Sequence, residues 1–186
     1  MEKHLRHHHH NLSGTTLFEV SWEVCNKVGG IYAVVSSKVL EVVEHFGDNY
    51  YLLGPDLGNN SDFIETDEEC WNVIKPAIGA VNMLCRFGRW NIPGNPKAIL
   101  VKFKDRYNEG QVLYELWNGY GVDSLSGGWD YVEPVLFSTA CGEVISVICQ
   151  ELRKHSKKPK FLAHFHEWMC GAGIFNLRKL APDVGT

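Results

Sequence analysis

The sequence predicts an α/β domain of three layers, with helices on both faces of a mainly parallel sheet. Three observations carry this. The chain opens on a short apolar run, a two-glycine turn and a long amphipathic segment at Leu17–Phe46. Short apolar runs and longer amphipathic segments then alternate to the end, the pattern of strands joined by helical crossovers. A second run, Phe161–His166, again hands over to a segment carrying early glycines, Gly171 and Gly173. A strand, a glycine turn and a helix is how a Rossmann-like unit begins.

Leu17–Trp22 is the first strand and the expected centre of the sheet. Helix one should run from Gly29 to Phe46, with Ile31, Val34, Val35, Val39, Val42 and Phe46 on one apolar face. Asn49–Gly54 reads as the second strand, closed by Pro55. Asp56–Glu69 reads as a loop, with a short helix over Asp62–Trp71. The excursion between Asn59 and Asn95 is expected to be less regular. Met83–Trp90 and Lys97–Lys104 are further strands, and Arg106–Trp117 a helix. Arg86 and Arg89 read as surface ion pairs, and the aromatics near Trp117 as core. Gly119–Gly128 is a glycine-rich connector or lid. Tyr131–Lys154 is a long helix with Pro134 in its first turn and a stripe of Phe137, Cys141, Val144, Ile148 and Leu152. The basic run Arg153–Lys160 suits a helix C-terminus. Gly171 and Gly173 would let the last helix pack tightly on the sheet.

Composition bounds the function. Of 186 residues, 45% are hydrophobic and 22% charged, ordinary for a globular chain. The net charge of −4 gives no ground for nucleic-acid binding. No run of 18 apolar residues suggests a membrane span. The six cysteines form no C-x-x-C pair and read as reduced, mostly buried thiols of a cytoplasmic protein. Residues 1–16 form a histidine-rich tail and linker. Its run His7–His10 could chelate metal, but no scaffold fixes the ligand geometry. The domain proper is expected to cover residues 17–186, and its ending after Leu180 reads as a cut before a further strand.

Two junctions carry the candidate chemistry. In Lys27-Val28-Gly29-Gly30 the glycines allow close backbone approach, the helix-start amides favour an anion, and Lys27 adds a cation. The order fits neither G-x-G-x-x-G nor a Walker A loop, and a turn serving geometry alone is the bland alternative. In Phe161–His166, His164 and His166 share a face of the strand. His166 stands at its carboxyl end, where open α/β sheets bind ligands. A metal pair is the other reading of His-Phe-His, although no third ligand is evident at a sensible spacing. A core histidine bonded to protein is the bland reading of each.

The blocks FEVSWEVCNKVGGIY, FGDNYYLLGP, FGRW, YELWN and AHFHEWMCGAGI, in this order, resemble the N-terminal region of eukaryotic-type glycogen synthases. The resemblance covers about Leu17 to Leu180, with mild departures at Ser21, Cys25 and Met169-Cys170. It implies the N-terminal half of a GT-B glycosyltransferase, two Rossmann-like domains around a donor cleft. The implied reaction moves glucose from UDP-glucose to the non-reducing end of an α-1,4-glucan, with retention and without metal or other cofactor. It implies donor contacts at Lys27, Gly29 and Gly30, a catalytic His166 beside the glucose, and secondary roles for His164 and Glu167. The implied partners are UDP-glucose and glycogen, with no nucleic acid or membrane, and with homo-oligomerisation of the full-length protein left open. These residues by themselves, lacking a second domain, are expected to transfer nothing. Another nucleotide-sugar transferase of the same fold, or a stand-alone glucan- or nucleotide-binding module, are the competing readings.

Overall fold

The computed structural model describes residues 14–186. The histidine run at residues 7–10 lies outside them. Six strands form one sheet in the order β3-β4-β5-β2-β1-β6. β1 (Thr15–Val20) lies between β2 (Tyr50–Pro55) and β6 (Lys160–Phe165), parallel to both, and β2 is parallel to β5 (Lys97–Lys102). The mainly parallel sheet is as expected; β1, expected at the centre, is interior but lies next to the edge strand β6. β1 starts earlier than expected because Thr15 and Thr16 pair with Lys160 and Phe161. It also ends sooner, at Val20, where Ser21–Cys25 form a turn.

The less regular excursion is a small antiparallel annex. The expected loop at Asp56–Glu69 contains a short strand, β3 (Phe63–Glu65), antiparallel to β4 (Leu84–Trp90), which is in turn antiparallel to β5. In place of a helix over Asp62–Trp71 there is this strand and a single 3₁₀ turn at Glu69–Trp71. The helix follows it instead, as α2 (Ile74–Ala80), its buried Ile78 completing what Ile74 begins. Trp71 explains the shift: fully buried, it packs on Tyr51 and Phe87 and anchors the 3₁₀ turn to the sheet. Arg89 pairs with Glu68 at 2.7 Å and Arg86 with Glu65 at 3.0 Å, ion pairs as expected.

One face of the sheet carries α1 (Gly30–Phe46), which buries Val35 and Val39 against Tyr50, Leu52, Ala98 and Leu100. Val34, expected on that face, is exposed, so the apolar stripe is narrower than the sequence implied. The other face carries the main core. There Phe18, Val20, Leu53 and Val101 meet α4 (Trp129–His155) and α5 (Glu167–Leu180). α4 is long and apolar enough to cross a membrane, but most of it is buried as the core helix of this domain. α3 (Glu109–Tyr120) is capped by the Asn108 side chain, which accepts from the Gln111 amide. It buries Leu113 and Leu116, while Tyr114, Trp117 and Tyr120 are half exposed rather than core.

Gly173 packs tightly on the sheet, as expected, and on α4 as well. A side chain there would meet the Ser138 carbonyl of α4 at 2.4 Å and the Phe165 ring at 2.5 Å. Its partner across the crossing is Gly142, and together they let α4 and α5 touch backbone to backbone. Gly171 has open space around it and does not contribute to the contact. All six cysteines are unpaired and four of them are buried.

Candidate functional site

β1 feeds α1 on one face of the sheet, and β6 feeds α5 on the other. These neighbouring strands therefore send their helices apart, and the crevice between their carboxyl ends is the topological switch point of the sheet. Open α/β sheets bind ligands at such a point. The His166 amide donates to the Val20 carbonyl at 2.9 Å, which joins the two strand ends. Each junction holds a non-glycine residue in the left-handed region, Cys25 (φ 54) after β1 and Glu167 (φ 58) after β6. Backbone of this kind persists where surrounding structure enforces it, often beside a site.

On the β1 side, Lys27, Val28, Gly29 and Gly30 form an exposed row at the start of α1. The Lys27 ammonium lies over the Tyr32 ring, 5.6 Å from its centre. A side chain added at Gly30 would meet nothing within 4 Å, so this position is open. The helix-start amides are not simply vacant, as the sequence suggested. Oε2 of the buried Glu23 accepts from the Gly29 amide at 2.7 Å and the Tyr32 amide at 2.9 Å. An internal carboxylate thus takes the place that helix-start amides offer an anion. The Glu23 amide is itself held by the Ser21 hydroxyl.

On the β6 side, His164 and His166 do share a face, with ring centres 4.1 Å apart. His164 is exposed, whereas His166 is 8% exposed. Burial, then the neighbouring His166, push the His164 imidazole below its ordinary pKa, against the pull of Glu19. Glu167 is exposed at the first position of α5. The His166 ring is bonded to protein through Nε2, which lies 2.8 Å from Oε1 of Glu19. Lys27, Gly29 and Gly30 thus follow β1, and His166 follows the neighbouring parallel strand β6, where it is buried and bonded to Glu19.

Glu19 is the residue that the sequence reading passed over. It is 1% exposed, next to last in β1, on the α1 face. Its Oε1 also receives the Lys38 ammonium from α1, and its Oε2 the Tyr50 hydroxyl from β2. Burial pushes this carboxyl up, but the bonds from His166, Lys38 and Tyr50 outweigh it and hold the pKa at about 2. The same burial and the Glu19 charge raise the Tyr50 hydroxyl. The available signal was an acid inside an otherwise apolar strand, Leu17-Phe18-Glu19-Val20, which demands buried partners. Glu19 also supplies the third donor that His-Phe-His lacked in the sequence: donor atoms of Glu19, His164 and His166 lie within 4.8 Å of one another. The Lys38 ammonium already sits on Oε1, where a metal cation would bind.

A concavity of about 570 Å³ lies between α3, α4 and α5, lined among others by Tyr107, Tyr120, Thr139 and Phe175. None of the switch-point residues lines it.

An open sheet with helices on both faces and a crevice at its switch point defines a Rossmann-like α/β domain. Residues 19–186 match the family model described as glycogen synthase. The chain belongs to the glycogen synthase family. It is 32% identical over 175 residues to the liver glycogen [starch] synthase of Rattus norvegicus, covering 91% of this chain and 24% of that protein. It is 33% identical over 180 residues to the glycogen [starch] synthase of Neurospora crassa, with the same coverage, 91% and 24%. To the Dictyostelium discoideum glycogen [starch] synthase it is 29% identical over 182 residues, 94% of this chain and 20% of that one. The chain thus spans about a quarter of the length of the relatives it matches.

Proposed function

We propose that the switch-point crevice is the donor-facing wall of a retaining glycosyltransferase that moves glucose from UDP-glucose to the non-reducing end of an α-1,4-glucan. The observation that supports this is that the Gly29-Gly30 helix start follows β1 and His166 follows β6, two neighbouring parallel strands, in a chain of the glycogen synthase family. UDP leaves as an anion, and charge growing on it is stabilised by a cation already in place, while the Gly29 and Tyr32 amides stay with Glu23. Lys27, exposed at the mouth, supplies that cation. Gly29 and Gly30 let the diphosphate approach the backbone. His166 holds a hydroxyl of the glucose, and His164 and Glu167 border the same space. This reading calls on no metal or other cofactor.

In this reading residues 17–186 belong to the N-terminal domain of a two-domain, cytoplasmic enzyme acting on glycogen. A polypeptide of these 186 residues alone transfers no glucose, since such catalysis needs groups from both walls on one bound donor. Transfer of radiolabel from UDP-glucose to glycogen tests the proposal in a chain that includes a second domain. His166→Ala should lower transfer strongly with UDP affinity retained. Unchanged transfer with weakened UDP binding would refute the roles assigned.

A further inference from the structure

An ionised carboxylate as buried as Glu19 is costly unless its lone pairs are met and its charge is balanced. Both conditions are fulfilled around it. Tyr50 donates to Oε2, and Lys38 donates to Oε1 and supplies the counter-charge. Three elements, β1, α1 and β2, thereby fix the orientation of one carboxylate. The His166 contact is not needed for charge balance. It sets a proton instead. An ionised carboxylate only accepts hydrogen bonds, so the hydrogen in the 2.8 Å contact sits on His166 Nε2. In a neutral imidazole the other nitrogen, Nδ1, then carries the lone pair.

We propose that Glu19 is a positioning residue: it locks His166 as the Nε2–H tautomer and so makes Nδ1 a hydrogen-bond acceptor for a hydroxyl of the donor sugar. The logic is that of carboxylates standing behind ligating histidines, which fix both tautomer and ring direction. The ring is tied at its far nitrogen by Glu19, and its backbone by the Val20 carbonyl. The sugar-facing half of the inference rests on the donor-site reading above. The tautomer does not.

The test is nitrogen-15 NMR of the histidine side chains of this chain at neutral pH, with the His166 signals identified by their loss in His166→Ala. The expected spectrum has a protonated Nε2 and an unprotonated Nδ1. A protonated Nδ1, or an even mixture of tautomers, would overturn the proposal. In Glu19→Met combined with Tyr50→Phe, which removes the acceptor without orphaning the hydroxyl, the preference should be lost. In Glu19→Gln, whose carbonyl oxygen still accepts, it should survive. A pure Nε2–H tautomer in the Met/Phe variant would show that Glu19 sets nothing. Should that variant fail to fold, the unmodified protein still decides. Added UDP-glucose should shift the Nδ1 signal, and UDP should not. If UDP-glucose moves the amides of residues 27–32 but not Nδ1, the acceptor role is wrong. If it moves neither, the donor-site reading fails, and the tautomer result still judges Glu19.

Discussion

His166 Nε2 lies 2.8 Å from Oε1 of Glu19, although 147 residues separate the two. The contact follows from register. β1 and β6 run parallel with Glu19 opposite His164 and Val20 opposite Phe165. His166, one step past the strand, falls on the same face as His164 and reaches back to the carboxylate. One hydrogen bond therefore ties together the two junctions from which α1 and α5 depart.

Glu19→Gln is expected to lower stability by about 2–3 kcal/mol at neutral pH, because it breaks a buried charge network from one side. The loss should depend on pH. The folded-state pKa is about 2, below the ordinary 4.5. The unfolded chain therefore takes up its proton first as pH falls. The stabilisation is complete above about pH 4.5 and disappears as pH falls through about 2. Urea unfolding of both proteins between pH 7 and pH 2 should show the difference shrinking across that window. A constant difference would mean that the charge on Glu19 does not stabilise the fold.

Gly173→Ala should destabilise by about 2–3 kcal/mol, since the added methyl overlaps the Ser138 carbonyl and the Phe165 ring in a packed helix crossing. Gly171→Ala, two residues away in the same helix, meets open space and should be neutral or stabilising by up to about 1 kcal/mol. Denaturant midpoints of the pair check this. Equal effects would contradict the close approach of α4 and α5.

Glu23→Ala removes the carboxylate from the Gly29 and Tyr32 amides. Loss of a cap of this kind costs about 1–2 kcal/mol. Hydrogen exchange at these two amides should accelerate while the middle of α1 stays protected. Unaltered exchange at Gly29 and Tyr32 would show that Glu23 does not hold the start of the helix.

Much of this was legible in the residues. Glycines and alternating apolar runs mark where strands hand over to helices, so β1, α1, β2, β5, α4 and β6 fall where the pattern puts them. Within the annex β4 was legible, but β3 was not, because Phe63–Glu65 is too short to show a period and pairs only through β4. The His166 position was readable from its place after a strand. Its partner was not, because Glu19 meets it only through the pairing of distant strands. The Tyr114, Trp117 and Tyr120 aromatics misled for a related reason: hydrophobic character does not say which face of α3 turns outward.

In a chain with a second domain, Lys27→Ala should weaken UDP-glucose binding about tenfold, the scale of one hydrogen bond to a charged group. His166→Ala should instead lower turnover, with UDP affinity nearly unchanged. Initial rates and calorimetric titration with UDP separate the two. A fall in turnover for Lys27→Ala with donor affinity intact would reverse the assignment.

The most direct test of the donor crevice is a backbone-amide NMR titration of this 186-residue chain with UDP-glucose. The account predicts shifts that cluster at residues 27–32 and 164–168, the two sides of the switch point. Shifts confined to the concavity lined by Tyr107, Tyr120 and Phe175, with residues 27–32 and 164–168 unmoved, would contradict it.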